Sequence, residues 1–342
     1  MTARTELNIN FPTPPGTAGL TLDAFQGEED LRDLVKLCDK LWQLGLHDGS
    51  LDFEYFKHSF AHLSNCDLSK DFLLARINGE PVGYLRHWWE SVIADESRVH
   101  LTTFWMLPEW LESPLGDFMI NWAETRSLEV ADTLSPVKGG DQIDLLTREE
   151  DKKKIQLLDA HGYKPLRYFF DMSRSLDGEL PDEPLPDGLE VRPVLNSQVR
   201  QVWEASNEAF RDEWGATEPT EEFYLEFVGS YFTRPELWQV AWDGDEVAGM
   251  VMNYMDTRQN DLDKRYRGYT EGISVRRPYR GKGVASALIC RSMRMFKALN
   301  MTEVALGVDA ENPSGALGLY TRLGYHPYRT QIWYSKLLAN LS

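Results

Sequence analysis

The chain has 342 residues, 42% of them hydrophobic and 12% aromatic, and a formal net charge of −18 at pH 7. That length exceeds one ordinary domain and suits two well-filled cores, while the negative charge opposes nucleic-acid binding, which rests on neutralising phosphates. Cys38, Cys66 and Cys290 lack C-x-x-C spacing and the histidines are scattered, so neither a disulfide framework nor a metal site is expected. No apolar run reaches membrane-spanning length, and the N-terminus lacks a charged-then-apolar signal segment. The expectation is a cytoplasmic protein with no membrane partner.

In the first half, Phe72 to Tyr84 predicts a hairpin turning at Asn78-Gly79. Pro108 to Leu115 reads as a turn, and Leu158 to Pro165 runs into a Gly-aromatic pair, Gly162-Tyr163. Residues 176–188 are rich in Pro, Gly and acids, lack a hydrophobic period, and read as a linker between 1–175 and 189–342.

In the second half, Asn196 to Phe210 predicts a helix, with Val199, Val202, Trp203 and Phe210 at helical spacing. Glu221 to Phe232 predicts another, opening after Thr220. Trp238 to Met250 predicts a hairpin turning at Asp243-Gly244, and a strand runs through Val275. A helix follows from about Gly283 to Leu299, its buried face marked by Ala285, Leu288, Ser292, Met295 and Leu299. Val304 to Val308 is a short strand. Pro313 suits the first turn of the next helix, with Asn312 as its N-cap and Gly324 at its C′ position. Tyr328 to Leu337 is the last strand. The two hairpins correspond, and Gly162-Tyr163 parallels Gly324-Tyr325, so the halves read as an internal repeat.

Between the strand and the helix lies Arg276-Arg277-Pro278-Tyr279-Arg280-Gly281-Lys282-Gly283-Val284-Ala285. A Gly-rich turn there leaves N–H groups unpaired at a positive helix end, which is an anion site, and Arg280 and Lys282 add charge. A P-loop requires Gly at 276, where Arg276 stands; the dinucleotide fingerprint requires Gly at 286, where Ser286 stands. The pattern R-x-x-G-x-A, read as Arg280, Gly283 and Ala285, resembles the acyl-CoA pyrophosphate loop of the GNAT superfamily of N-acetyltransferases. The later stretch Val308 to Tyr325, with Asn312, Tyr320 and Gly324-Tyr325, resembles that family's other signature.

The resemblance implies a mixed α/β fold, two tandem GNAT folds, each a mixed, mostly antiparallel sheet flanked by helices. It implies acetyl-CoA as cosubstrate, with no metal and a small amine as acceptor. The pyrophosphate would lie on the N–H groups of Gly281, Lys282, Gly283, Val284 and Ala285, with Ser286 in the same turn and Arg280 assisting. Ile273, Ser274 and Val275 would pair with the pantetheine amides as an added strand. Asn312 would approach the cofactor, a role compatible with capping a helix. Tyr320 is the candidate general acid toward the departing thiolate, or a core aromatic. Glu271 is the candidate base, or a solvated charge at a strand end. Asp212, Glu213, Glu218, Glu221 and Glu222, with Trp214 and Phe223, either line a cleft for a cationic or sugar-like acceptor or form solvated surface.

The tandem arrangement resembles the two-domain bacterial GNAT acetyltransferases that include mycothiol synthase. The first copy has lost the loop: Trp110 stands for Arg280, Ser113 for Gly283 and Leu115 for Ala285. Pro114 removes a donor, and Leu158 stands for Tyr320. Residues 1–175 are therefore expected to keep the fold without an acyl-CoA site, and 189–342 to carry the chemistry. The alternatives are a non-catalytic acyl-CoA-binding module and acetylation of a cysteinyl pseudo-disaccharide. A homodimer is compatible with either half.

Overall fold

Asn78 and Gly79 both take positive φ, 51° and 86°, and close a two-residue turn whose twist suits the strands it joins. The computed structural model describes residues 17–47, 49, 51–312 and 314–341. In it the turn belongs to the first of two units, which runs to Tyr168 and resumes at Gln331; the second spans Phe169–Thr330.

The first unit contains β1 (Leu20–Asp23), α1 (Glu28–Gln43), α2 (Phe53–Ala61), β2 (Phe72–Ile77), β3 (Glu80–Ser91), β4 (Arg98–Met106), α3 (Pro108–Leu111), α4 (Pro114–Thr133), β5 (Asp141–Arg148), α5 (Lys152–Ala160) and the start of β6 (Lys164–Ser175). Its strands lie in sequence order, antiparallel except for the β4–β5 pair. The apolar residues of these strands, continuously buried along β2, close on α1 and α4 around Leu34, Leu37, Phe72, Leu85 and Met119. The buried Arg76 guanidinium pairs with Asp23, Asp30 and Asp33, tying β2 to β1 and α1.

The second unit contains the rest of β6, then β7 (Glu190–Val191), α6 (Val199–Phe210), α7 (Glu221–Gly229), β8 (Gln239–Asp243), β9 (Glu246–Val251), α8 (Thr257–Asp263), β10 (Arg267–Tyr269), β11 (Ser274–Val275), α9 (Val284–Ala298), β12 (Glu303–Asp309), α10 (Ala316–Arg322) and the start of β13 (His326–Leu337). One sheet runs β11-β9-β8-β7; in the other, β12 lies between β6 and β10, parallel to β10. The antiparallel bridge Tyr254–Tyr269 links them. The buried side of α9 (Val284, Leu288, Met293, Phe296) packs on Ala248, Val251, Val304 and Leu306.

Several sequence expectations change. The units part inside β6 and β13, not at 176–188: residues 331–337 complete the first unit's sheet beside β5, and residues 169–175 complete the second unit's beside β12. Residues 176–188 carry no strand or helix, yet they belong to the second unit. Leu176 is buried, Leu180 and Leu185 pack on the core, and α9 donates to Gly178 O from Lys297 and pairs with Asp182 through Arg294. The second hairpin turns on Gly244-Asp245, since Asp243 is still in β8 and Gly244 holds the positive φ of 57°. The helix opened by Thr220 ends at Gly229 rather than Phe232. Leu299 is exposed because it lies past the end of α9, whose buried face includes Val284 and Phe296 instead. Asn312 is not the N-cap of α10, a place held by Gly315 at φ 76°; Pro313 lies outside the described residues. The strand expected through Val275 is split into β10 and β11, and α8 was not foreseen.

Candidate functional site

The split between β10 and β11 organises the site. Gly272 sits at φ 56°, a conformation that favours glycine, and a Cβ there would lie 2.6 Å from Met252 Cε, so a larger residue would also displace that methionine. The strand consequently leaves β12 after Thr270, whose N–H donates to Ala305 O (2.8 Å), and joins β9. Arg276 N–H donates to Ala248 O (3.0 Å). By the alternation of an antiparallel ladder, the N–H groups of Ile273 and Val275 then face away from β9, toward the open edge of β11. Ser274 is buried, with its Oγ 3.4 Å from Ser206 Oγ.

Immediately downstream, Gly281 (φ 71°) and Gly283 (φ 88°) take left-handed conformations, and Gly283 is the N-cap of α9. Ser286 Oγ donates to Gly283 O (2.9 Å), as does Ala287 N–H (3.0 Å). Among the described residues no acceptor takes the N–H groups of residues 281–286. A Cβ at Gly281 would meet nothing within 4 Å, and one at Gly283 only Ser286 Oγ at 3.8 Å. Their conformation, rather than crowding, requires glycine, and the concavity they bound is open. A row of donors at a helix N-terminus with open space before it fits a pyrophosphate. Lys282 is exposed, its Nζ 5.8 Å from the Tyr279 ring centroid.

Arg280 has a bracing role. Its Nε donates to Val275 O (2.9 Å), one Nη to Asp212 (2.6 Å) and the other to Ala209 O (2.7 Å). Arg277 also grips Asp212. The two guanidinium groups hold the Asp212 carboxyl well below the usual range, and they fasten the loop to the end of α6. Asp212 is thus spent on the loop. Glu213 accepts from Asn312 Nδ2 (2.7 Å), which joins the 212–214 turn to the 309–315 turn; burial, then the nearby Asp309 charge, raise its pKa. Trp214 lies exposed, 6.1 Å from the Phe169 ring. Glu218 and Glu221 pair with Arg211 and Arg200 at the surface, and Glu222 is exposed.

Glu271 stands in the split. Its Oε1 accepts from Gly307 N–H (2.8 Å), and burial, with the Asp171 charge adding, pushes its pKa to about 8. Tyr320 is buried on α10, its ring 6.1 Å from that of Tyr325, whose hydroxyl is 2.8 Å from Thr270 Oγ1. Burial and then the charges of Glu271 and Glu213 raise the Tyr320 pKa well above its ordinary value. The structure therefore groups Glu271, Tyr320, Glu213 and Asn312 and sets the 281–286 turn at the start of α9. Sequence reasoning missed a cavity of about 210 Å³ beside Glu271, walled by α7 and the Met252–Tyr254 extension of β9. The aromatics Phe227, Phe232 and Tyr254 were its available signal.

The Acetyltransferase (GNAT) family profile matches residues 199–325. Over 110 residues the chain is 31% identical to N-alpha-acetyltransferase 30 of Schizosaccharomyces pombe, covering 32% of this chain and 71% of that protein. The chain belongs to the GNAT family of acetyltransferases. This GNAT chain is also 24% identical over 206 residues to a mycothiol acetyltransferase of Arthrobacter sp. (strain FB24), covering 59% of this chain and 62% of that one. A solved tandem GNAT protein from the clavulanic acid biosynthesis pathway shares the fold, with TM-score 0.67 at 13% identity, covering 93% of this chain and 98% of that chain. The chain spans between 53% and 71% of the length of the curated relatives it matches. GNAT acetyltransferases use an acyl-CoA and an acceptor. Among the described residues there is no His/Cys/Asp/Glu cluster suited to a metal ion, and no helix long and apolar enough to cross a membrane.

Proposed function

We propose that the second unit transfers the acetyl group of acetyl-CoA to the primary amine of a small molecule by direct attack, without a metal. The observation that carries this reading is the unpaired N–H row of residues 281–286, together with Glu271 and the open edge of β11. The N–H groups of that turn hold the pyrophosphate, and those of Ile273 and Val275 take up pantetheine. Glu271, as carboxylate, accepts the proton of the acceptor ammonium. The freed amine attacks the thioester carbonyl, forming the C–N bond as the C–S bond breaks. Tyr320 donates a hydrogen bond to the developing thiolate. Its raised pKa makes full proton transfer to a thiolate of ordinary pKa about 8.5 uphill, so stabilisation of the sulfur is its main contribution; the second proton, lost by the acylated nitrogen, neutralises the CoA thiolate.

The first unit, on this reading, holds no acyl-CoA. The test is thiol release from acetyl-CoA with a panel of small primary amines beside short peptides with free N-termini. Turnover with small amines is expected. Turnover confined to the peptides would reassign the acceptor, and binding of acetyl-CoA without turnover of either would leave a non-catalytic module.

A further inference from the structure

Resting on that reading, the cavity beside Glu271 bears on which amine is accepted. Its volume, about 210 Å³, is below the roughly 300 Å³ at which pockets for drug-sized ligands begin. Phe227, Phe232, Trp238 and Tyr254 supply its aromatic wall, with Met252 beside them. These rings are held by one another. Phe227 stacks on Trp238 (5.9 Å), Phe232 meets Tyr254 edge-on (5.2 Å), and Tyr254 lies parallel to Tyr269 (4.6 Å, 5°). Of the three hydroxyls in the lining, Ser230 Oγ accepts from Phe232 N–H (3.3 Å), Thr233 Oγ1 donates to Phe227 O (2.5 Å), and the third belongs to Tyr254. The charged side chains of the lining are two carboxylates, Glu226 and Glu271.

We propose that the acceptor is a primary amine carried on a compact, aryl-sized apolar body, selected by this cavity. An ammonium is attracted both to the carboxylates and to the faces of the rings, and an apolar body gains by leaving water for a preformed aromatic wall. A sugar amine fits poorly. Its several hydroxyls surrender hydrogen bonds to water and meet mostly ring faces, and the few hydroxyls of the lining do not replace them all. The acidic turn at 212–214 offers a sugar no substitute, because Asp212 is bound by Arg277 and Arg280 and Glu213 by Asn312.

The experiment compares 2-phenylethylamine with glucosamine as acceptors for the full chain, alongside a direct titration with acetyl-CoA. The expected kcat/KM ratio is at least about 100 in favour of the arylalkylamine. Phe232→Ala is expected to raise KM for 2-phenylethylamine about tenfold while acetyl-CoA affinity stays unchanged, which also reports an intact fold, and Phe232→Leu to recover most of the loss. Two results would overturn the inference alone: preference for glucosamine, or indifference to Phe232→Ala; acetyl-CoA binding with neither amine acetylated would overturn it too, and the proposed function with it if the wider panel of amines and peptides also failed. Absence of acetyl-CoA binding would instead remove the function on which the inference rests.

Discussion

Two helix N-termini, at corresponding places in the repeat, meet their orphan donors in opposite ways. At α4, the N–H of Ser113 goes to Trp110 O (3.2 Å), that of Leu115 to Ser113 Oγ (3.2 Å), that of Gly116 to Ser113 O (2.9 Å), and Pro114 has none to offer. At α9 the whole run of residues 281–286 is left without an acceptor among the described residues. The contrast extends to the neighbouring strands. In the first unit Lys154 Nζ bridges the carbonyls of Phe104 on β4 (2.9 Å) and Leu146 on β5 (2.8 Å), and its burial lowers its pKa to about 8. In the second unit the N–H groups of Ile273 and Val275 on the outer edge of β11 have no acceptor among the described residues, although Val275 O accepts from Arg280 Nε. The lesson is that a capped and bridged copy satisfies its own backbone groups, whereas a glycine turn leaves its donors without a partner, which on the proposed reading is a place for a ligand.

The sharpest way to break the comparison is Gly283→Glu. A carboxylate and a non-glycine residue at φ 88° should repel phosphate and strain the turn, lowering acetyl-CoA affinity by more than about 100-fold in a calorimetric titration. Next is Glu271→Gln, expected to lower kcat/KM by about 100-fold or more. The sign of its pH dependence follows from the upward shift: with a pKa near 8 the base form grows as pH rises. The rate should therefore climb through a limb near pH 8 in the parent, and the variant should lose that limb; an unchanged limb in the pH–rate profile would assign it to another group. Tyr320→Phe should lower kcat about tenfold to 100-fold in steady-state assays and leave acetyl-CoA affinity unchanged. Asp212→Asn, which loosens the brace between α6 and the turn, should raise the acetyl-CoA KM several-fold at low salt, with less effect as salt increases. The smallest effect is expected at the other terminus: Ser113→Ala should cost about 1 kcal/mol in chemical denaturation, the loss of an N-cap, and leave acetyl-CoA affinity within twofold.

Much of the fold was legible because it is local. Asn78-Gly79, Thr220 as N-cap, the glycine opening α9 and Gly324 at the end of α10 (φ 88°) are each dictated by the conformation of a few residues. What escaped depends on partners distant in sequence. Nothing in β6 or β13 says which sheet each end joins, because the same alternation suits either neighbour. The division of one apolar strand into β10 and β11 depends on Gly272 meeting Met252, and the packing of residues 176–188 on Arg294 and Lys297 of α9. The acidic run left cleft lining and solvated surface both open, because its partners Arg200, Arg211, Arg277 and Arg280 lie at separations no local pattern reveals. Glu271 was visible as a residue type on a strand; its enclosure and the aromatic cavity beside it required the fold.

The most direct test of the account is a calorimetric titration of the full chain with acetyl-CoA, read for stoichiometry. One site per chain, abolished by Gly283→Glu and retained in Ser113→Ala, is the predicted result. Two sites per chain would contradict the proposal that the first unit holds no acyl-CoA, and no site would contradict the reading of the 281–286 turn as a pyrophosphate cradle.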